Sequence, residues 1–223
     1  MVPILVILTV IIEVCACQSS IGTVRDNDYL EGASTVAANG NYVYVTAFTS
    51  AALTVVDVTN PASPSISGHV SVPSQLGGAR GVAVNGNYAY VAAYTSNALT
   101  VVDVTDAASP SVSGHVTDST ELRGAVGVAV SGNYAFVTAF RENRLTRVDV
   151  TDPSNPTISG SYMDGTNLDG PFRVAVAGNY AYVASKRASS LSVFDISGTS
   201  QPIRKGTVSN EIQLGKQNKK YQV

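Results

Sequence analysis

A period of 46 residues is the feature that most constrains how this 223-residue chain folds. Shifting the sequence by 46 positions superimposes four consecutive units without insertion or deletion between Gly22 and Leu214. The positions that recur in every unit are Tyr42, Tyr88, Tyr134 and Tyr180; Asp57, Asp103, Asp149 and Asp195; Gly40, Gly86, Gly132 and Gly178; and Pro64, Pro110, Pro156 and Pro202. Self-similarity at this spacing indicates a repeat architecture in which each unit is one supersecondary element.

Each unit reads as four short strands, which in the second unit are residues 81–84, 88–94, 99–104 and 111–116. The first two strands are joined by Asn85-Gly86, a dipeptide that favours a two-residue type I′ hairpin because both positions adopt positive φ. The last two strands are joined by a proline-containing segment, and proline has no N–H for a strand ladder. The sequence therefore predicts one four-stranded antiparallel sheet per unit.

Large and small side chains alternate along the second strand, which assigns them to opposite faces of the sheet. Tyr42, Tyr44 and Phe48 share one face, and Val43 and Val45 share the other. Such sheets stack on one another with the bulky face against the small face, and each buried ring contributes roughly 1.5–3 kcal/mol. We expect an all-β fold, a β-propeller of four 46-residue four-stranded blades that forms a small ring or a partial propeller. A two-sheet sandwich or a solenoid is the alternative.

The strand motifs resemble those of a known family. The third strand reads Leu-Thr-Val-Val-Asp-Val-Thr in the first two units, and Gly-Val-Ala-Val-x-Gly-Asn-Tyr-Ala-Tyr-Val precedes it in the second. This pattern is similar to the LVIVD-repeat β-propeller family of microbial cell-surface and secreted proteins. The resemblance covers nearly the whole chain after residue 17 and implies a propeller fold and an extracellular setting, but little about a ligand.

The chain departs from the family motif at two places. The second motif position is Thr54 in the first unit and Ser192 in the fourth, and Arg147 stands where the other units have valine. A charged side chain in a buried strand needs a partner. We expect Arg147 to pair with Asp149, two positions along the same face, and a ligand-facing Arg147 is the alternative.

The repeat register divides the chain into seven segments. Residues 1–17 read as a signal peptide, with a lipoprotein signal as a variant, because the apolar run through Ile12 is too short to span a membrane and Val14 and Ala16 precede a cleavage position before Cys17. The rest comprises 18–33, a remnant outer strand and loop of a preceding repeat; 34–79, 80–125, 126–171 and 172–209, blades 1 to 4; and 210–223, a polar basic tail. We therefore expect a secreted or cell-surface protein.

The composition of the chain narrows the range of partners to be expected. Charged residues make up 13% of the chain and the net charge is −2, so nothing in the charge balance predicts nucleic acid or an anionic membrane as a partner. Membrane contact is expected only through a lipid on Cys17. Both cysteines precede residue 18, which leaves the repeats without a thiol for a disulfide or a metal. Self-association through exposed strand edges is a further expectation.

Variation among the units is confined to one side of the predicted disc. The Gly hairpins and Pro-containing connections lie on one side, the uniform face, and repeat almost unchanged. The second-to-third strand loops and the loops between units lie on the other side, the variable face, and differ from copy to copy. Loops on a rigid frame often carry function. The candidate ligand-binding residues are the mostly charged ones on the variable face: Arg80, Arg123, Arg141, Glu142, Arg144, Asp164, Asp169, Arg173, Lys186 and Arg187.

Other polar patterns are assigned structural roles. An aspartate repeated in every unit, such as Asp57, is explained by hydrogen bonding in the turn that follows it. His69 and His115 lie on outer strands of different blades, so no shared metal site is expected, and no cofactor is predicted. The sequence favours a binding or adhesion scaffold for an extracellular protein or glycan. A propeller hydrolase or lyase with a site at the channel mouth, and a structural repeat that assembles edge to edge, are the alternatives.

Overall fold

A computed structural model describes residues 22–198 and 201–209, which form sixteen strands in four antiparallel sheets and one short helix. The first sheet contains β1 (Ala33–Asn39), β2 (Tyr42–Ala47), β3 (Ala52–Asp57) and β4 (Ser65–Ser71). After helix α1 (Pro73–Leu76), the second contains β5 (Ala79–Asn85), β6 (Tyr88–Ala93), β7 (Ala98–Asp103) and β8 (Ser111–Thr117). The third contains β9 (Ala125–Ser131), β10 (Tyr134–Ala139), β11 (Arg144–Asp149) and β12 (Thr157–Met163). The fourth contains β13 (Pro171–Ala177), β14 (Tyr180–Ser185), β15 (Ser190–Asp195) and β16 (Ile203–Ser209).

In every sheet the strands lie side by side in chain order. A hairpin joins β5 to β6 at the predicted place, but its turn differs from the prediction. Asn85 pairs with Tyr88, so the two loop residues are Gly86 and Asn87, and only Gly86 has a positive φ, +58°. Glycine with positive φ at the first loop position is typical of a type II′ turn, and the predicted type I′ turn centred on Asn85-Gly86 is wrong. Tyr88 of β6 then pairs with Asp103 of β7, and the equivalent pair forms in each sheet. The fold is thus an all-β propeller of four blades, as the sequence predicts.

Neighbouring blades stack with the bulky face of one against the small face of the next. Tyr44, Leu53 and Val55 of the first sheet form one buried cluster with Ala89 and Val91 of the second. Leu76, the last residue of helix α1 between these blades, is fully buried in the same cluster. Leu122 and Leu168 are buried in the same way at the next two junctions. This packing explains why the alternation of large and small residues recurs with the repeat period.

Residues 22–30 lie against the first blade as the corresponding stretch of each unit lies against the following blade. The Thr54 hydroxyl donates to the carbonyl of Tyr29 at 2.6 Å, and the Thr100 hydroxyl donates to the carbonyl of Gln75 at 2.6 Å. Leu30 packs with the buried valines of β2 and β3. The signal segment at 1–17 and the tail at 210–223 lie outside the described residues. Within the described ranges, no helix is long and apolar enough to cross a membrane.

The four blades form an arc, and the outer face of the fourth blade is not covered by another blade of the described chain. Each sheet packs on the next, but within the described residues the strands of the first and fourth sheets show no comparable packing on one another. Leu191 and Val208 on the outer face of the fourth blade are 44% and 66% exposed, whereas Leu53, Leu99 and Leu145 are fully buried. The first strands of the sheets, β1, β5, β9 and β13, contact one another from sheet to sheet on the inner side of the arc. We call the space on this inner side the channel, and its end on the variable face the channel mouth.

Candidate functional site

The variable face opens onto the channel where the innermost strands begin. A β-bulge lies at the start of the first strand of every blade, where the pairing register shifts by one residue in β1, β5, β9 and β13. The unpaired residues at these bulges are Ser34, Arg80, Val126 and Phe172. The same position therefore carries a different side chain in each of the four copies, and of these Arg80 and Phe172 meet at the channel mouth.

Arg80 is surrounded by aromatic rings at this mouth. Its guanidinium carbon lies 5.2 Å from the ring centre of Phe48, 5.3 Å from that of Tyr94 and 5.8 Å from that of Phe172. Phe172 belongs to the fourth blade, so Arg80 bridges blades that are not neighbours in the array. The Arg80 Nε atom is buried and has no hydrogen-bond partner in the described part of the chain.

Three cationic side chains converge on the ring of Phe172. Arg80, Arg173 and Lys186 place their charged atoms 5.8, 5.1 and 5.9 Å from its centre. In the described ranges none of the three forms an ion pair with a carboxylate. Partial burial and the nearby positive charge of Arg80 both lower the pKa of Arg173. We call Arg80, Phe172, Arg173 and Lys186 the mouth cluster.

A pocket of about 390 Å³ adjoins the mouth cluster on the fourth blade. Phe172, Arg173 and Lys186 line it together with four small residues, Ala184, Ser185, Ser189 and Ser190. The Ser185 hydroxyl is buried and has no hydrogen-bond partner among the described residues, whereas the Ser190 hydroxyl donates to the carbonyl of Asn167 at 2.7 Å. The pocket therefore combines two cations, one aromatic ring and hydroxyl groups, a set of groups able to bind a small polar ligand.

Two more of the predicted arginines lie around the mouth, each over an aromatic ring. The Arg141 guanidinium lies 4.8 Å from the ring centre of Tyr94, and its Nε donates to the Tyr94 hydroxyl at 3.0 Å. Arg187 lies 4.4 Å from the ring centre of Phe140 and 3.7 Å from the carboxylate of Asp169. These arginines extend the positive surface outward from the mouth cluster.

The remaining predicted residues are engaged in contacts of their own. Arg123 pairs with Glu142 at 2.7 Å. Arg144 is mostly buried, 3.3 Å from Glu121, and donates to the Ser161 hydroxyl at 2.9 Å. The Arg144 Nε is buried without a hydrogen-bond partner among the described residues, but both arginine charges already face a carboxylate. These residues therefore offer less to an anionic ligand than the mouth cluster does.

Asp164 is the predicted acidic residue with the most internal hydrogen bonds. Its carboxylate accepts from the backbone N–H groups of Thr166 and Asn167 at 2.9 and 3.0 Å. Burial raises the pKa of Asp164, but the hydrogen bonds from Asn167 and Thr166 and the charge of Arg204 outweigh burial and lower it. Asp164 thus organises the loop after the third blade.

The aromatic rings of the mouth were not among the residues predicted from the sequence as ligand-binding. The alternation pattern assigned Phe48 to the bulky face of the second strand, but β2 ends at Ala47 and Phe48 turns to the mouth. Tyr94 and Phe140 occupy the same position in the next two blades. Lys186 in the fourth unit was the available signal, because a cation in place of an aromatic residue indicates a position outside the blade core.

Arg147 is fully buried and contacts both its own blade and the next. Its guanidinium lies 3.6 Å from the ring centre of Tyr134 and donates to the carbonyl of Gly198 at 2.7 Å. Its charge also contributes to lowering the pKa of Asp149, after the hydrogen bonds from Thr151. The ion pair expected between Arg147 and Asp149 stays a prediction, and Arg147 also has a role between blades that the sequence did not indicate.

The repeated aspartates form turns, as the sequence predicts. Asp57, Asp103, Asp149 and Asp195 each accept a hydrogen bond from the backbone N–H two residues on, at 2.7 to 3.0 Å. In the described ranges, no group of three or more His, Cys, Asp or Glu residues is arranged to hold a metal ion. His69 and His115 lie on β4 and β8 of different blades.

Comparison with known proteins gives a repeat family and a fold. The model of the LVIVD repeat matches residues 32–72, 76–118, 123–164 and 172–210. No curated protein sequence matches the chain. Among solved structures, a functionally unknown protein from Desulfotomaculum acetoxidans superimposes with a TM-score of 0.67 at 13% identity, over 86% of this chain and 61% of that one.

Two further solved structures lead to the same conclusion. The periplasmic gluconolactonase of Pseudomonas aeruginosa gives a TM-score of 0.67 at 16% identity, over 79% of this chain and 54% of that one. A protein from Lactobacillus plantarum gives 0.65 at 17% identity, over 80% and 58%. The chain thus spans between half and two thirds of these solved chains, and the likeness establishes the fold.

Proposed function

The chain belongs to the LVIVD-repeat family, whose name describes a repeat and not an activity, and we propose that it is a binding scaffold. Its ligand, an extracellular protein or glycan, contacts the variable face at the channel mouth. The observation that carries the proposal is the convergence of Arg80, Arg173 and Lys186 on the ring of Phe172 without a carboxylate partner among the described residues.

The contrast between the two faces supports this proposal. On the uniform face, each blade repeats the same glycine hairpin and the same aspartate-centred turn, and their polar groups bond to their own backbone. On the variable face, equivalent positions carry Thr49, Thr95, Arg141 and Arg187. Cationic and aromatic side chains presented together at a rigid rim are typical of binding surfaces.

The proposal predicts that negative charge on the variable face abolishes binding. Thr49 and Thr95 are exposed there, and Arg141 and Arg187 at equivalent positions show that long side chains fit. A Thr49→Glu, Thr95→Glu double variant should lose at least about tenfold of its retention on an array of surface proteins and glycans, because the new carboxylates compete for the mouth arginines.

The matched control places the same charges on the uniform face. Asn87 and Asn133 are exposed hairpin residues, and Asn87→Glu with Asn133→Glu changes the net charge equally. This variant should be retained like the parent, and both variants should keep the melting temperature of the parent within a few degrees. Equal loss of retention in the two variants, or no loss in either, would contradict the proposal.

A lactonase is the second candidate, because a gluconolactonase shares the blade arrangement. Ring opening needs groups that activate water, and two carboxylates of the variable face, Glu142 and Asp169, are paired with Arg123 and Arg187. Incubation of the full chain with gluconolactone, followed by acid release at constant pH, separates the candidates. Hydrolysis above the spontaneous rate that is lost in Arg173→Gln would favour the enzyme over the scaffold.

A further inference from the structure

We infer that the mouth cluster and the adjoining pocket bind the acidic group of a carbohydrate, that is, a carboxylate, sulfate or phosphate carried on a sugar. This inference rests on the proposed function and names the ligand class of the same site. It comes from three features of the structure: cations without a carboxylate partner among the described residues, donors left free in a buried position, and a pocket beside them that suits a sugar ring.

The electrostatic feature is an accumulation of like charge. Arg80, Arg173 and Lys186 surround one ring, and the positive charge of Arg80 helps to lower the pKa of Arg173. Two guanidinium groups held near each other without an intervening acid repel each other, and this repulsion is strong where water is partly excluded. An anion bound among them removes that repulsion and gains attraction from all three.

The hydrogen-bonding feature concerns the edge of the Arg80 guanidinium. The rings of Phe48, Tyr94 and Phe172 lie 5.2 to 5.8 Å from the guanidinium carbon and attract its charge, and the N–H donors of the guanidinium can still bond to an oxygen acceptor. The buried Nε donor has no acceptor within the described residues. A carboxylate, sulfate or phosphate presents two oxygens at the spacing of this fork and accepts from it in bidentate fashion.

The pocket is an open depression whose size accommodates a sugar ring rather than a single inorganic ion. A volume of about 390 Å³ is far larger than one oxyanion needs and is within the usual range for small-molecule sites. The ring of Phe172 offers a flat surface for the C–H face of a sugar, and Ser185 and Ser189 offer hydroxyl groups to its hydroxyls. Arg173 and Lys186 line the same pocket, so the acidic group and the sugar ring are bound side by side.

Arg187 and Arg123 provide the contrast within the same face. Each has a carboxylate partner, Asp169 at 3.7 Å and Glu142 at 2.7 Å. Their charges are already compensated, so adding an anion there gains less. Arginines that look equivalent in the sequence therefore differ in how strongly they attract an anion.

Calorimetric titration of the full chain tests the inference with four probes: a tetramer of galacturonic acid, a heparin tetrasaccharide, glucose 6-phosphate and neutral maltotetraose. We expect binding of at least one acidic probe, affinity that falls as salt is raised, and affinity for maltotetraose at least about tenfold weaker. The galacturonic acid tetramer carries carboxylates alone and the heparin tetrasaccharide carries carboxylates and sulfates, so binding of heparin without binding of the galacturonic acid tetramer assigns the site to sulfate. Glucose 6-phosphate tests phosphate.

Variants separate the mouth cluster from general surface charge. Arg173→Gln and Lys186→Gln should each lower the affinity for the acidic probe about tenfold, whereas Arg123→Gln should lower that affinity less than about twofold. Lys186 is exposed, so its variant reports on binding even where a channel substitution disturbs folding. An equal effect of Arg123→Gln, equal affinity for maltotetraose, or no binding of any acidic probe would overturn the inference.

The outcomes also separate this inference from the proposed function. Retention of a protein or a neutral glycan that is lost in Thr49→Glu, Thr95→Glu but unchanged in Arg173→Gln would keep the scaffold and overturn the acidic-sugar site. Retention of no protein or glycan by the parent chain would overturn both.

Discussion

Leu99 and Leu191 occupy the same position of the repeat, yet the first is fully buried and the second is 44% exposed. Leu99 lies in the cluster between the second and third blades, where Val137 and Val148 cover it. The fourth blade presents Leu191 on a face against which no described strand packs. One local sequence thus produces one strand at both places, but the contribution of that strand to stability depends on whether another blade covers it.

The largest expected effect follows from truncating these leucines. Leu99→Ala removes three buried side-chain carbons from a close-packed cluster and leaves a cavity, and it should cost roughly 2–5 kcal/mol in the free energy of unfolding. Leu191→Ala should cost less than about 1 kcal/mol, because much of that side chain is already in water. Chemical denaturation of both variants measures the difference. A Leu191→Ala cost equal to that of Leu99→Ala would show that the outer face of the fourth blade is covered in solution.

A smaller difference is expected at the glycines of the outer strands. A Cβ on Gly114 would lie 2.5 Å from the carbonyl oxygen of Ser154 and 2.6 Å from that of Pro153, whereas a Cβ on Gly206 meets nothing within 4 Å. Gly114→Ala forces β8 away from the backbone of residues 153–154 and should lower the free energy of unfolding by roughly 1–3 kcal/mol. Gly206→Ala should stay within about 0.5 kcal/mol of the parent. Melting curves that rank the two variants in the opposite order would contradict the packing described at this junction.

The smallest expected effect is a loss of stability at low pH. Hydrogen bonds from Ser197 and the nearby Lys205 lower the pKa of Asp195 to about 2, and hydrogen bonds from Thr59 lower that of Asp57. A carboxylate with a lowered pKa in the folded state stabilises the fold above its unfolded pKa, and this stabilisation is lost as pH falls through the folded pKa. The melting temperature should therefore drop as pH falls from about 4 to about 2.

Substitution of each aspartate identifies its share of that drop. Asp195→Asn should remove more of the acid dependence than Asp57→Asn, since Lys205 acts only on the former. Both side chains are near the surface, so their contributions are small and screened by salt. Melting temperatures measured across this pH range for both variants check the order, and an identical pH profile for parent and variants would exclude the aspartates as its source.

Much of the fold follows from the sequence. The position of each glycine hairpin is determined by a backbone that needs positive φ, and the turns at Asp57 and its equivalents by a side chain that bonds to its own backbone two residues on. Both effects depend on residues close together in the chain, so they recur in every copy and can be recognised from the repeat. The stacking of a bulky face on a small face also follows, because the alternation of side chains along a strand is itself local.

The candidate site could be predicted only in part. Arg80, Arg173 and Lys186 were identified from variation among the copies, but nothing along the chain indicated that they share the ring of Phe172. Phe48 was assigned to the strand face because periodicity does not show where a strand ends. Arg144 and Arg173 appeared equivalent, yet one is paired with Glu121 and the other has no carboxylate partner in the described ranges.

The sequence by itself determined the blade: its four strands, its hairpins, its turns and the order in which copies stack, because each depends on residues near one another in the chain. Only the tertiary structure decided which copies meet across the channel, which arginines find a carboxylate, and which leucine stays exposed. These outcomes depend on the curvature of the array, which brings Arg80 of the second blade to Phe172 of the fourth, 92 residues further along the chain.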